Sequence, residues 1–304
     1  MYNLDQLELF FGDASNHVAY LYARIGKCKD IGDVKDLSKV LAGTIHGPHC
    51  AYSRTLPSSF KFQDCGPGES VLMRAVITDP CFWSPDVPAT YRVTFELTGQ
   101  NSDEPLERIT RDFGLRMFGV RGKNFFWDQQ RWVLRGVHEK SSLRDLPMKD
   151  WRASGAVLIS SNANDKLCEA ASREGVPLAV HLAASAADLE NEIGRIARYA
   201  AILMVVIDSS ATISPNVRRL APNLVFAEAF RSGQPVNPAP WADVAWVEFD
   251  EGPADFSART KDCSAPVIAV RTLTDSEKLE NARAACDRLQ RDLAPYGDFA
   301  GYVV

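Results

Sequence analysis

The chain has 304 residues, 46% of them hydrophobic and 24% charged, and its 34 Lys and Arg against 39 Asp and Glu leave a net charge of −5. A composition this apolar and this weakly charged buries a core, which excludes a disordered chain. Without a basic block there is no electrostatic footprint for nucleic acid or anionic lipid, so neither is expected as a partner.

The longest apolar run, Ala200 to Ile207, is strand-length, whereas a membrane helix needs roughly 20 residues. Met1 to Asp5 lacks the basic start and apolar stretch of a signal peptide. The seven cysteines are odd in number and contain no C-x-x-C pair. Together these features predict reduced thiols and a cytoplasmic protein.

Up to about residue 130 the texture is that of β-structure. Leu7–Phe11 and His17–Ile25 read as strands, and Gly32–Gly43 is polar and ambiguous. Val71–Ile77 is apolar and β-branched, stopped by Thr78-Asp79-Pro80. Tyr91–Leu97 alternates apolar and polar residues with period two, as a strand with one buried face does. Gly99–Pro105 is a polar turn, with Leu106–Arg111 as the hairpin partner. Short strands bounded by Gly, Pro, Asn and Asp predict a β-sandwich.

After residue 130, short apolar strands alternate with amphipathic helices. The strands are Trp132–His138, Ala156–Ser160, Pro177–Leu182, Ala201–Asp208, Leu224–Ala229, Val244–Phe249, Pro266–Arg271 and Phe299–Val304. Asp165 is placed to cap a helix bearing Leu167, Cys168 and Ala171 and stopped by Gly175. Ser185 is placed to cap another, with Leu189, Ile193, Ile196 and Ala200 on one face. Ser214-Pro215 has the form of a cap with proline at the first helical position. Ser276 opens the longest helix, whose stripe is Leu279, Ala282, Cys286, Leu289 and Leu293.

Eight strands alternating with helices is the count of a (β/α)8 barrel. Trp132 to Val304 is only 173 residues, so loops and helices must be shortened relative to the usual size of about 250. Arg231–Asp243 holds three prolines and no helix signal, and Glu251–Ala265 allows one or two turns. Thin cover there, and no helix after the eighth strand, predict exposed apolar surface for a protein partner or a second copy.

Three segments resemble glycoside hydrolase family 2, the β-galactosidase and β-glucuronidase group. Pro80-Cys81-Phe82-Trp83-Ser84-Pro85-Asp86-Val87-Pro88-Ala89-Thr90-Tyr91 is similar to the family's P-x-L-W-S-P-E-x-P-x-L-Y. Asp112-Phe113-Gly114-Leu115-Arg116 is similar to x-F-G-F-R, and Phe125 to His138 to the stretch ending L-R-G-V-N. The three occur in the family's order and spacing. The resemblance implies an immunoglobulin-like sandwich at 1–126 and a shortened barrel at 127–304.

It also implies where chemistry should sit: an acid/base Glu after Asn at the end of barrel strand four, and a nucleophilic Glu at the end of strand seven. Retaining glycosidases need such a pair about 5–5.5 Å apart. Here strand four ends Ile207-Asp208-Ser209-Ser210, and strand seven ends Val270-Arg271-Thr272 with no carboxylate before Asp275. A guanidinium stays protonated and has no lone pair for nucleophilic attack. Strand two carries Ser160-Ser161-Asn162-Ala163-Asn164 where relatives have N-x-x-R-x-S-H. The sequence thus reads as a family 2-like pseudoenzyme with a carbohydrate-binding, scaffolding or regulatory role.

The polar strand ends are His138, Glu139, Ser160, His181, Asp208, Glu228, Glu248, Asp250, Arg271 and Tyr302. One reading makes Glu228 and Glu248, on adjacent strands, a relocated catalytic pair, with Asp208 as a third acid. A second reading pairs Arg271 with Asp208, Glu228 or Glu248 in a buried ion network. A third makes His138, His181, Arg271 and Tyr302 a binding remnant for a sugar or small molecule. Trp127, Trp132 and Phe126 are either a sugar-stacking platform or packing. His46-Gly47-Pro48-His49-Cys50 has metal-ligand residue types, but proline makes it a turn and no second cluster accompanies it. Neither a metal nor a cofactor is expected, since Gly66-Pro67-Gly68 lacks the Lys of a phosphate loop and no G-x-S-x-G occurs.

Overall fold

The computed structural model describes residues 4, 7–25, 41–68, 70–98, 105–140, 143, 145–183, 186–209, 211, 213–214, 216–248, 250, 252–271 and 278–304. Ser185, Pro215, Phe249, Ser276, Asp275 and most of 32–43 lie outside them. The contacts divide the chain into one unit of Met1–Arg116 with Arg198–Ala200, and another of Met117–Ala197 with Ala201–Val304.

The first unit is an antiparallel β-sandwich of the immunoglobulin-like kind. Its strands are β1 (Leu7–Ala14), β2 (Val18–Ile25), β3 (Leu41–His49), β4 (Ser58–Lys61), β5 (Gln63–Asp64), β6 (Val71–Thr78), β7 (Thr90–Thr98) and β8 (Pro105–Phe113). They form two four-stranded sheets, β1-β2-β6-β5 and β4-β3-β7-β8. The period-two reading of β6 and β7 holds: Val71, Met73, Ala75 and Ile77 are buried, as are Tyr91, Val93, Phe95 and Leu97. Those residues join Leu9, Leu21 and Ile45 in one core fed by both sheets.

The first two resemblance segments are held here by packing. Trp83 is fully buried and its amide donates to the Leu115 carbonyl at 2.6 Å. The buried Tyr91 hydroxyl accepts from the Cys81 amide at 2.7 Å. A side chain at Gly114 would meet Ala200 Cβ at 2.3 Å, so only glycine fits. Arg116, wholly buried, donates to the Tyr199 and Ala200 carbonyls at 3.0 and 2.7 Å, and burial lowers its pKa to about 10.

In the second unit a small sheet, β9 (Phe118–Arg121), β10 (Asn124–Trp127) and β11 (Gln130–Trp132), runs in the order β11-β10-β9. Phe118, Phe125, Trp127 and Trp132 pack their rings on one another at centroid distances of 5.3 to 6.4 Å, and Arg121 lies over Phe126 at 4.8 Å.

Eight parallel strands then close into a barrel: β12 (Leu134–His138), β13 (Val157–Ser160), β14 (Leu178–Leu182), β15 (Ile202–Asp208), β16 (Val225–Phe230), β17 (Val244–Glu248), β18 (Val267–Val270) and β19 (Gly301–Val303). The first strand starts two residues later than the sequence reading had it, because Trp132 ends the preceding hairpin.

The helices are α1 (Met148–Ser154), which sequence reading missed, α2 (Asp165–Glu174), α3 (Ala186–Ile196), α4 (Asn216–Leu220), α5 (Pro253–Thr260) and α6 (Leu279–Leu293). The cap of α2 is Asn164 rather than Asp165: its side chain accepts from the Leu167 amide at 2.9 Å, while Asp165 ion-pairs with Arg195. Gly175 ends the helix in the left-handed conformation as expected.

The bare apolar faces expected from missing helices are covered. On β16 the outward residues Phe226, Glu228 and Phe230 are buried, and on β17 so are Ala245 and Val247. Residues 231–243 are pinned over them. Glu228 Oε2 accepts from the Ala239 amide at 2.7 Å, and Arg218 donates to the Trp241 carbonyl and to Asp243. Helix α6 reaches across to β12: Arg135 donates to Asp287 and Gln290, and Cys286 Sγ approaches the Gly136 carbonyl. A helix after the eighth strand is therefore not needed to cover the first. No helix among the described residues is long and apolar enough to cross a membrane.

Candidate functional site at the barrel mouth

Side-chain parity decides which strand-end residues face the barrel axis. A Cβ at Gly136 would strike Val303 and Ile159 at 2.8 and 2.9 Å, and one at Gly301 would strike Leu134 and Ile268. These positions therefore face inward. The ring of His138 stands edge-on to that of Trp246 at 6.0 Å, from the first strand to the sixth, so both of these face inward too. Stepping by two and following the strand pairing puts His181, Asp208 and Glu248 on the same inner face, at its C-terminal end. Beside the indole stands a small inward residue, Ala229, which pairs with Trp246.

The mouth thus gathers five polar side chains. His181 Nε2 and Asp208 Oδ1 are 3.1 Å apart. Asp208, at the end of the fourth strand, is occupied in orienting an imidazole. Burial lowers the His138 pKa to about 4, helped by the nearby charges of His181 and Lys140, so its ring is neutral at ordinary pH. A neutral imidazole offers one donor and one acceptor. Trp246 is fully buried and its Nε1–H has no partner among the described residues. At the rim, Ser160 Oγ donates to Glu139 Oε2 at 2.6 Å and accepts from the Asn162 amide, so these two lock each other.

Three other sequence candidates lie on the outer face of the wall. Glu228 alternates with the inward Ala227 and Ala229, and faces the 231–243 segment; burial raises its pKa, opposed by the Ala239 hydrogen bond. Glu228 pairs with Ala245, three residues before Glu248 and on the opposite sheet face, so the two glutamates do not form a pair. Tyr302 pairs with the outward Arg135 and meets Phe299 edge-on at 6.5 Å; it does not reach the mouth. Arg271 follows the inward Val270 and ion-pairs with Asp292 of α6 at 3.7 Å. The expected network of Arg271 with the strand-end acids inside the barrel is replaced by this outer contact.

Of the sequence candidates, the structure brings His138, His181, Asp208 and Glu248 together at the mouth, beside Trp246, which was not among them. The usable signal was its place two residues before Glu248 on a strand, which puts both on one face. Elsewhere, His46 Nδ1 and His49 Nε2 are 2.9 Å apart on the sandwich. No group of three or more His, Cys, Asp or Glu among the described residues is placed to hold a metal ion.

No family model matches the chain, and no curated protein does. Solved structures do match it in fold. A Bacteroides uniformis β-glucuronidase superposes with a TM-score of 0.67 at 14% identity, over 99% of this chain and 46% of its own. A β-D-glucuronidase for Dictyoglomus thermophilum gives 0.61 at 12%, over 98% and 61%. A putative β-galactosidase from Bacteroides fragilis gives 0.60 at 12%, over 98% and 54%. The chain spans about half the length of these proteins. Identity this low carries the shared sandwich-and-barrel architecture and no more.

Proposed function

We propose that this protein is a glycosidase-fold pseudoenzyme that binds a sugar, or a small polyol of similar chemistry, at the barrel mouth without hydrolysing it. The observation that carries the reading is the make-up of the mouth. It holds a buried donor with no partner among the described residues at Trp246 Nε1, a neutral His138 and the carboxylate of Glu248, while the two positions where the family resemblance calls for glutamates hold Ser209, next to an Asp208 engaged with His181, and Arg271, turned outward onto α6.

A sugar hydroxyl both donates and accepts, which suits a site mixing an N–H donor, a two-way imidazole and carboxylate acceptors. The glycosidase names of the similar structures support a carbohydrate as the ligand class. Hydrolysis with retention would need two carboxyls about 5–5.5 Å apart, one of them protonated, and of the two at the mouth Asp208 is engaged with His181. Arg271 supplies neither a proton at neutral pH nor a nucleophile.

Titration calorimetry with glucuronate, galactose, glucose and their methyl β-glycosides tests binding. At least one is expected to bind saturably, and His138→Ala and Trp246→Phe are each expected to weaken it tenfold or more. Binding unaffected by both substitutions would remove the mouth as the site.

A further inference from the structure

The sandwich carries a second feature, independent of the mouth. His46 and His49 stand three apart on β3, and in a regular strand residues so spaced point to opposite faces. Here the pairing of β3 with β7 slips between them, so that His46 lies opposite Arg92 and His49 opposite Thr90. Thr90 and Arg92 are two apart and share a face, and the bulge therefore returns His49 to the side of His46. The two rings meet there, with His46 Nδ1 2.9 Å from His49 Nε2 and the ring centroids 4.8 Å apart. His46 is exposed and His49 half-buried, so the pair is open to solvent.

Arg92, the cross-strand neighbour of His46, is a cation, but Asp112 on β8 pairs with it at 3.3 Å and offsets its charge. Burial, then the charges of His46 and Arg92, hold the His49 pKa below its usual value against the opposing pull of Asp112, so this ring is neutral at ordinary pH and keeps a lone pair. Two imidazole nitrogens at 2.9 Å need something between their lone pairs, either a proton shared as a hydrogen bond or a cation. A metal bound by two nitrogens at about 2.05 Å each, at a right angle, sets them about 2.9 Å apart, whereas a tetrahedral metal spreads them to about 3.3 Å. The observed spacing is that of the right angle.

We propose that His46 Nδ1 and His49 Nε2 chelate a divalent nickel or copper ion, the two first-row cations that combine imidazole affinity with right-angled coordination. No third His, Cys, Asp or Glu among the described residues is placed to join them, so water fills the other positions. The proton between the rings moves to the far nitrogen of its own imidazole as the metal takes its place, which an exposed His46 allows through solvent. Hard cations such as magnesium and calcium prefer oxygen and are excluded by the donor set. Both histidines belong to β3, and the inference stands whether or not a sugar binds at the mouth.

The test is calorimetric titration of the full chain with nickel chloride, against magnesium chloride matched for ionic strength. Saturable nickel binding is expected, with no comparable heat from magnesium. His46→Gln and His49→Gln should each weaken it at least tenfold, and His17→Gln, on an exposed histidine elsewhere in the sandwich, not at all. With one equivalent of copper(II), electron paramagnetic resonance should show coupling to two nitrogens in the wild type and to one in either single variant. Circular dichroism and the metal-free melting curve should match the wild type in both variants, which separates loss of a ligand from loss of the fold. Nickel heat no greater than with magnesium, affinity unchanged in either variant, or a copper signal with the same nitrogen count in all three proteins would overturn the proposal.

Discussion

At the residue scale, two buried nitrogens report on what the mouth is for. An indole N–H left unpaired in a barrel costs roughly 1–3 kcal/mol, while trimming Trp246 to Phe leaves a cavity worth about 1 kcal/mol. The two nearly cancel. Trp246→Phe is therefore expected to leave the urea unfolding free energy within about 1 kcal/mol of wild type; a loss above about 3 kcal/mol would mean that Nε1 is bonded in the folded chain.

His138 makes a pH prediction. Its folded pKa of about 4 lies below an unfolded value near 6.5, so the unfolded state takes up the proton first as pH falls. The stabilisation is complete above about pH 6.5, drains away between 6.5 and 4, and is constant below that. Allowing for the ring's partial exposure, the loss is on the order of 2 kcal/mol. Urea midpoints across that window should slope in the wild type and flatten in His138→Gln. Equal slopes in both would show that the ring is not held neutral by burial.

At the scale of single elements, strand and helix placement was largely legible because apolar period is a local property of the chain. Every barrel strand lies within two residues of its expected bounds, since buried parallel strands read as continuous apolar runs. That same continuity hid parity. In Val225–Phe230 all six residues are buried, so nothing in the text says that Glu228 faces out and Ala229 faces in. The relocated-glutamate reading failed there. Arg271 was misjudged for the same reason, one residue beyond an inward Val270. The cover over β16 and β17 was illegible because it rests on hydrogen bonds of Glu228, Arg218 and Asp243 to backbone atoms far away in sequence, not on a helix.

The cap of α2 turned on one position. Asn164 and Asp165 are both good caps, and only the conformation tells them apart. Asn164→Ala is expected to lower stability by about 1 kcal/mol and Asn164→Asp to be neutral, read from denaturation midpoints. No change in the alanine variant would return the cap to Asp165.

Across the whole molecule, the segments that carry the family resemblance are architectural. Trp83, Tyr91, Gly114 and Arg116 hold the sandwich unit, and Arg135 and Gly136 let α6 and the neighbouring strands close on the first barrel strand. His138, the last residue of the third segment, is the one that reaches the mouth's polar cluster. The matching structures share this frame at 12–14% identity. The residues that the fold demands leave a local apolar and glycine pattern, whereas the polar strand ends leave none, and this is why the fold was readable from text and the chemistry of the mouth was not.

The most direct measurement is release of the chromophore from p-nitrophenyl β-glucuronide and β-galactoside by the purified chain, followed for a day beside a Glu248→Gln, Asp208→Asn double variant. Release by the wild type no faster than by the double variant or by buffer is the expected result. Steady release by the wild type that vanishes in the double variant would contradict the account, because it would mean that the acids of the fourth and sixth strands still cut a glycosidic bond.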